Sequence, residues 1–200
     1  MTIEHLIAFN VALIAAVMSP GPALLVAMQT TLSSGRRAGI AIGIGLACMA
    51  SMWTLLALLG LEAVFQVVPW AYLAVKTIDA LYLIYIAWKM WRGAGDRIAA
   101  SHRPAKHAFR QGILINLLNP KSVLFAAAVL VVVFPGDMSM RDNAIVVFNH
   151  LAVEVVFYCA IAVALSTPAF SKRYLKAKAY IDRVAAGVLA VLGLRLLVSR

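Results

Sequence analysis

Residues 19–26 read Ser19-Pro20-Gly21-Pro22-Ala23-Leu24-Leu25-Val26. Two prolines around a glycine break a helix, because proline lacks an N–H and glycine costs helix stability. Yet the chain on both sides, from Leu6 to Met18 and from Ala23 to Met28, is mostly apolar. The setting is a membrane. Of 200 residues, 64% are hydrophobic and 13% charged, the latter about half the share of a soluble domain. A chain of this composition spans a bilayer several times. The start, Met1-Thr2-Ile3-Glu4-His5, has no basic residue and no small-residue cleavage site after it, so it does not read as a signal peptide.

The chain contains six apolar segments of about bilayer length: 3–28, 39–61, 70–90, 112–134, 144–167 and 182–198. The first connection holds Arg36 and Arg37. The third holds Arg92, Arg97, Arg103, Lys106 and Arg110, and the fifth holds Lys172, Arg173, Lys176 and Lys178. The second has no Lys or Arg, and the fourth sets Arg141 against Asp137 and Asp142. Basic connections face the cytoplasm, so the odd loops lie inside and both termini outside. The net charge of +10 is thus a topology signal, not a nucleic-acid one. Trp70 precedes Trp88 and Trp91 by 18 and 21 residues, roughly 27–32 Å of helix, which puts them at opposite interfaces.

A second break lies in the fourth segment, where residues 112–125 read GILINLLNPKSVLF. Asn119-Pro120-Lys121 interrupts this segment as Ser19-Pro20-Gly21-Pro22 interrupts the first. The two segments run in opposite directions. The fold class expected is an all-α integral membrane protein: six helices in one domain, 1–200, as two inverted three-helix repeats, 1–91 and 110–200, with helices 1 and 4 broken. Broken helices free backbone groups near the midplane, where they hold a solute. The candidate binding residues are therefore Pro20, Gly21, Pro22, Asn116, Asn119, Pro120 and Lys121.

Four ionisable residues fall deep in apolar segments: Asp79, Lys121, Glu154 and Arg195. Each costs about 3 kcal/mol at the bilayer centre, so they must pair, line water or change protonation. Glu154 is a candidate proton carrier, with His150 one turn before it on the same face. A static pair with Lys121 or Arg195 is the alternative. Asp79 has Lys76 three residues earlier as a partner. Lys121, next to the break, is placed to meet a solute carboxylate or to brace the break. Tyr82 and Tyr85 shape a pocket or simply pack. Gly39, Gly43, Gly45 and Ala47 form a small-residue face for close helix packing, and such faces also offer a surface for a homodimer.

The chain resembles the LysE/RhtB family of bacterial amino-acid exporters (lysine exporter and homoserine–threonine resistance type translocators) over essentially its whole length. The resemblance rests on Pro20-Gly21-Pro22, on Gly35-Arg36-Arg37-Ala38-Gly39, on Tyr82-Leu83-Ile84-Tyr85, and on Asn116-Leu117-Leu118-Asn119-Pro120-Lys121. It implies an inner-membrane carrier that expels amino acids or close derivatives, coupled to the proton gradient as an antiporter. In the family a glycine often stands where this chain has Asp79 or Ala87, and many members carry an acidic residue in the second helix. None is present here between Gly39 and Leu61.

Other classes fit less well. No phosphate-binding glycine loop is present, so direct ATP use is not expected. No His/Asp/Glu cluster suggests a metal or cofactor, and no nucleophile dyad suggests an enzyme. A passive channel or a noncatalytic membrane subunit is the alternative. A thiol-redox carrier is weaker still: Cys48 and Cys159 fall in the second and fifth segments, far from the breaks, and read as buried small hydrophobes.

Overall fold

The computed structural model describes residues 1–18, 21–61, 77, 81, 84–85, 87–89, 91–94, 105–119, 121–123, 125–126, 133–134 and 138–198. Trp70, Lys76, Asp79, Tyr82, Pro20 and Pro120, and the side chain of Arg195, lie outside the described residues. Within them, all regular structure is helical. The helices are α1 (Ile3–Met18), α2 (Pro22–Ser34), α3 (Arg36–Leu56), α4 (Ala105–Leu117), α5 (Met140–Leu165) and α6 (Pro168–Val198), with a π-helical turn at Ala57–Leu61. Residues 36–60 and 140–165 are each long and apolar enough to cross a membrane, and α1 with α2 makes a third span if the bent pair counts as one.

The first break is real. α1 stops at Met18, α2 starts at Pro22, and the two are bent by 58°. Gly21 is the N-cap of α2 in extended geometry, with Pro22 opening the helix. Proline suits that position because its missing N–H has no partner there anyway. At the other end Gly35, with φ 86°, closes α2 and opens α3. A side chain disfavours that backbone, and glycine permits it. Gly35 donates its N–H to Thr31 O at 2.9 Å, and Gly39 donates to Gly35 O at 3.0 Å.

The side-chain pattern is that of a bilayer protein. α1 buries Phe9, Leu13 and Val17 at intervals of four and exposes Ile3, Ile7, Val11, Ile14 and Met18 on the opposite face. α5 inverts the soluble rule. It buries Asn143, His150, Glu154 and Tyr158 and exposes Phe148 and Val156. In lipid the polar groups are the ones that must find partners inside.

α3 is the hub and packs against α2, α4 and α5. Its tightest crossing is with α4. A Cβ on Gly45 would press into the Phe109 carbonyl oxygen, and one on Gly112 into the Ile42 carbonyl oxygen. The expected small-residue face of the second segment is thus a packing face, with Gly112 as its complement on the partner helix.

Three features differ from the sequence expectation. Residues 105–111 are not connection but the first turns of α4. The fifth connection shrinks to Ser166–Thr167, because α6 runs unbroken for 31 residues through Lys172, Arg173, Lys176 and Lys178. Lys and Ala are strong helix formers, and nothing in that stretch stops a helix. At 1.5 Å per residue α6 is about 46 Å long, so it extends well past a bilayer. On it Lys178 donates to Asp182 Oδ2 at 2.6 Å, a buried pair one turn apart. Cys48 and Cys159 are free and only half-buried in the protein, not fully buried as expected. Each therefore presents part of its surface to the surroundings of the bundle.

The α3–α4 crossing makes a stability prediction. Gly112→Val should destabilise the protein by about 1–3 kcal/mol through overpacking against backbone. Gly187→Ala, with nothing within 4 Å of the added methyl, should be neutral or slightly stabilising. Thermal unfolding in detergent checks both.

Candidate functional site

Both breaks open onto one cavity. It is lined from α1 and α2 by Leu13, Ala16, Val17, Gly21, Ala23 and Leu24, and from α3 by Ala50. Asn116, Asn119, Lys121, Ser122 and Phe125 line it from around the second break, and His150, Glu154 and Tyr158 from α5. The cavity volume is about 40 Å³, room for roughly three waters.

Asn119 builds the second break. Its backbone N–H donates to Asn116 O at 3.1 Å, closing the end of α4. Its side-chain oxygen accepts from the Lys121 N–H at 3.3 Å, and its amide donates to Ser122 Oγ at 3.2 Å. An asparagine that accepts from the N–H two residues on is a helix N-cap. The two breaks thus share a device, a cap residue succeeded in sequence by proline: Gly21-Pro22 and Asn119-Pro120.

Asn116 ties the break to the hub. It donates through Nδ2 to Leu46 O at 3.0 Å, and its own carbonyl accepts from Trp53 Nε1 at 3.3 Å. Its Oδ1 is buried without a hydrogen-bond partner. Where α3 meets α5, Thr54 Oγ1 and His150 Nδ1 are 2.7 Å apart, and His150 Nε2 and Glu154 Oε1 are 3.4 Å apart. Glu154 Oε2 is also buried without a partner. Buried acceptors without donors are costly, and here two of them border one cavity.

Lys121 Nζ donates to Ala16 O at 2.5 Å. The residue after the second break therefore reaches the last turn of the helix before the first break. Toward the N-terminal end of α1, Phe9 packs against the rings of Phe125 and Phe134, and Phe9 and Phe125 also lie against the His150 ring. Asn10 and Asn149 exchange amide hydrogen bonds at 2.8 and 3.4 Å between α1 and α5.

Of the residues singled out from sequence, Gly21, Asn116, Asn119, Lys121, His150 and Glu154 come together at this cavity. Pro22 opens α2 but does not line it. Pro20, Pro120 and Asp79 lie outside the described residues. Among the described residues the hydrogen-bond partner of Glu154 is His150; the side chain of Arg195 lies outside them. Sequence reasoning passed over Thr54, Tyr158, Ser122 and the Ala16 carbonyl. Tyr158 was within reach of it, since 150, 154 and 158 form a stripe at intervals of four. Among the described residues no His/Cys/Asp/Glu group could hold a metal ion.

The cavity, walled by both apolar and polar side chains, lies where the helices are interrupted, in a bundle whose outer faces are apolar. The chain matches the model of the LysE type translocator over residues 14–200 and belongs to that family. It is a multi-pass membrane transporter, not an enzyme. It is 29% identical to the threonine efflux protein of Escherichia coli over 196 residues, covering 94% of each chain. It is 28% identical to the homoserine/homoserine lactone efflux protein of Salmonella typhimurium over 160 residues, 78% of each. It is 23% identical to the leucine efflux protein of an Enterobacter strain over 180 residues, 88% of this chain and 85% of that one. No solved structure matches the chain.

The Thr54–His150 contact gives a second prediction. Thr54→Val keeps the shape and removes the hydroxyl, leaving a buried ring nitrogen unsatisfied. It should cost about 1–3 kcal/mol in thermal unfolding, and Thr54→Ser should recover most of that.

Proposed function

We propose that the protein is a secondary exporter of small neutral amino acids in the bacterial inner membrane, and that the cavity between the two breaks is its solute site. The observation that carries this reading is the pairing of opposite groups around one small space. On one side is the start of α2, where Gly21 gives no side-chain cap. Proline has no N–H, so the first free donors are Ala23 and Leu24, both at the cavity wall. They sit at the positive end of the helix and suit a carboxylate. On the other side are the unpartnered Glu154 Oε2 and Asn116 Oδ1, which suit an ammonium. Leu13, Val17, Leu24 and Phe125 leave an apolar surface for the side chain. The small volume favours short side chains.

The relatives named for threonine, homoserine and leucine efflux support this substrate class. The six-span, two-repeat architecture with both termini outside is part of the same proposal. It rests on the alternation of basic connections and on the matched breaks. Alternating access then rocks one half against the other around the cavity. Glu154 carries the coupling proton, since it touches both the cavity and the His150–Thr54 chain.

The test is efflux from cells preloaded with amino acids by dipeptide feeding. Wild type should export one or a few neutral amino acids in an uncoupler-sensitive way. Glu154→Gln and Asn116→Leu, expressed at normal levels, should lose at least about tenfold, the rate equivalent of one buried hydrogen bond to a charged group. Export of none of the amino acids by wild type, or full activity in both variants, would overturn the proposal.

A further inference from the structure

We infer that the seam between α1 and α5 is the outer gate of the solute site, with Phe9 as its plug and the Asn10–Asn149 pair as its latch. The solute leaves when α1 parts from α5. This rests on the reading of the cavity as the solute site and names the residues that open it.

The two helices run side by side in the same direction. Met1 N donates to Asp142 Oδ2 at 3.2 Å, and Asn10 meets Asn149. Farther along, Leu13 and Val17 share the cavity wall with His150, Glu154 and Tyr158. A parallel pair crosses the membrane in one sense, as the first and fifth spans of the proposed topology do. Both N-terminal ends then face outward, and the stretch of α1 from Phe9 back to Met1 lies between the cavity and the outside. α1 belongs to the first repeat and α5 to the second, so this seam parts when one half rocks against the other.

The contacts are of a kind that opens and re-forms. Phe9 is fully buried, and its ring rests on Phe125 and His150, two residues of the cavity wall. One residue away, Asn10 and Asn149 exchange amide hydrogen bonds at 2.8 and 3.4 Å. The amides are neutral, so parting them strands no charge. Each is both donor and acceptor, so water satisfies it once the seam is wet. Behind α1, Ile3, Ile7, Val11 and Ile14 are exposed, so the helix swings into lipid and not into protein. Its far end is a hinge: α1 stops at Met18, α2 leaves at 58°, and Ala16 O is held by Lys121. The α3–α4 crossing, closed at backbone distance by Gly45 and Gly112, has no such freedom.

The experiment uses the purified full chain in proteoliposomes, with the amino acid that wild type exports best as labelled probe. Cys48→Ser and Cys159→Ser remove the native thiols, and Asn10→Cys with Asn149→Cys is bridged by a short bifunctional methanethiosulfonate. Transport by one preparation is read before bridging, after bridging and after reduction. Bridging should lower transport about tenfold or more, as a gate held shut would, and reduction should restore it. The bridged protein should still bind the probe at equilibrium in detergent. A second measurement covers the case that the double variant does not fold. Leu13→Cys, one turn inward of Phe9, is labelled in spheroplasts by a membrane-impermeant maleimide. Adding Asn149→Ala should speed that labelling about fivefold, the population shift from losing one interhelical hydrogen bond. Unchanged transport after bridging, failure of the reagent to bridge the folded protein, or labelling indifferent to Asn149→Ala would overturn the inference. The two readings fail separately. The cavity reading fails if Glu154→Gln binds and exports like wild type, whereas the gate fails on the bridging and labelling results alone.

Discussion

An ammonium group inside a membrane protein needs an acceptor, and Lys121 finds one in the carbonyl that the first break leaves open. That single bond, Lys121 Nζ to Ala16 O, joins the two interruptions of the chain. Each interruption alone is a helix defect with unpaired backbone groups, a costly thing where water is absent. Brought together they solve each other's problem. The donor from one break satisfies an acceptor from the other. The cavity lies where the two breaks meet.

The rest of the architecture holds the two breaks in register. α3 lies between them in contact with α2, α4 and α5. Its glycine face lets α4 approach at backbone distance, which places Asn116 within reach of the Leu46 carbonyl. Asn116 fixes the end of α4, and Asn119 caps the turn at Lys121 and Ser122. On the other flank the Asn10–Asn149 pair joins α1 to α5. It keeps His150 and Glu154 turned toward the cavity. These are interhelical hydrogen bonds of modest individual worth, about 1 kcal/mol each in membranes. Their value lies in fixing orientation more than in stability.

Much of this was legible in the sequence because membranes make polar residues conspicuous. Pro20-Gly21-Pro22 and Asn119-Pro120-Lys121 stand out where every neighbour is apolar. His150 and Glu154 are one turn apart and had to share a face. Partnership across the fold could not be read in the same way. Nothing in the local pattern says that Lys121 meets Ala16 rather than an acidic side chain, because the acceptor is a backbone carbonyl and carries no residue signature. Thr54 was invisible for a related reason: a lone threonine in an apolar helix normally bonds its own backbone. The ends of α4 and α6 were misjudged because charge was taken to mark loops. Helix-forming residues carry charge past the membrane surface without ending the helix.

The central claim is that the cavity recognises both charged ends of an amino acid. The direct measurement is equilibrium binding of the exported amino acid to purified protein, against two analogues: the amine lacking its carboxylate and the hydroxy acid lacking its ammonium. The account predicts that the amino acid binds and that neither analogue competes at concentrations where the parent saturates. Competition by the amine at parental strength would show that the start of α2 does not hold the carboxylate. Equal competition by both analogues would contradict the account as a whole.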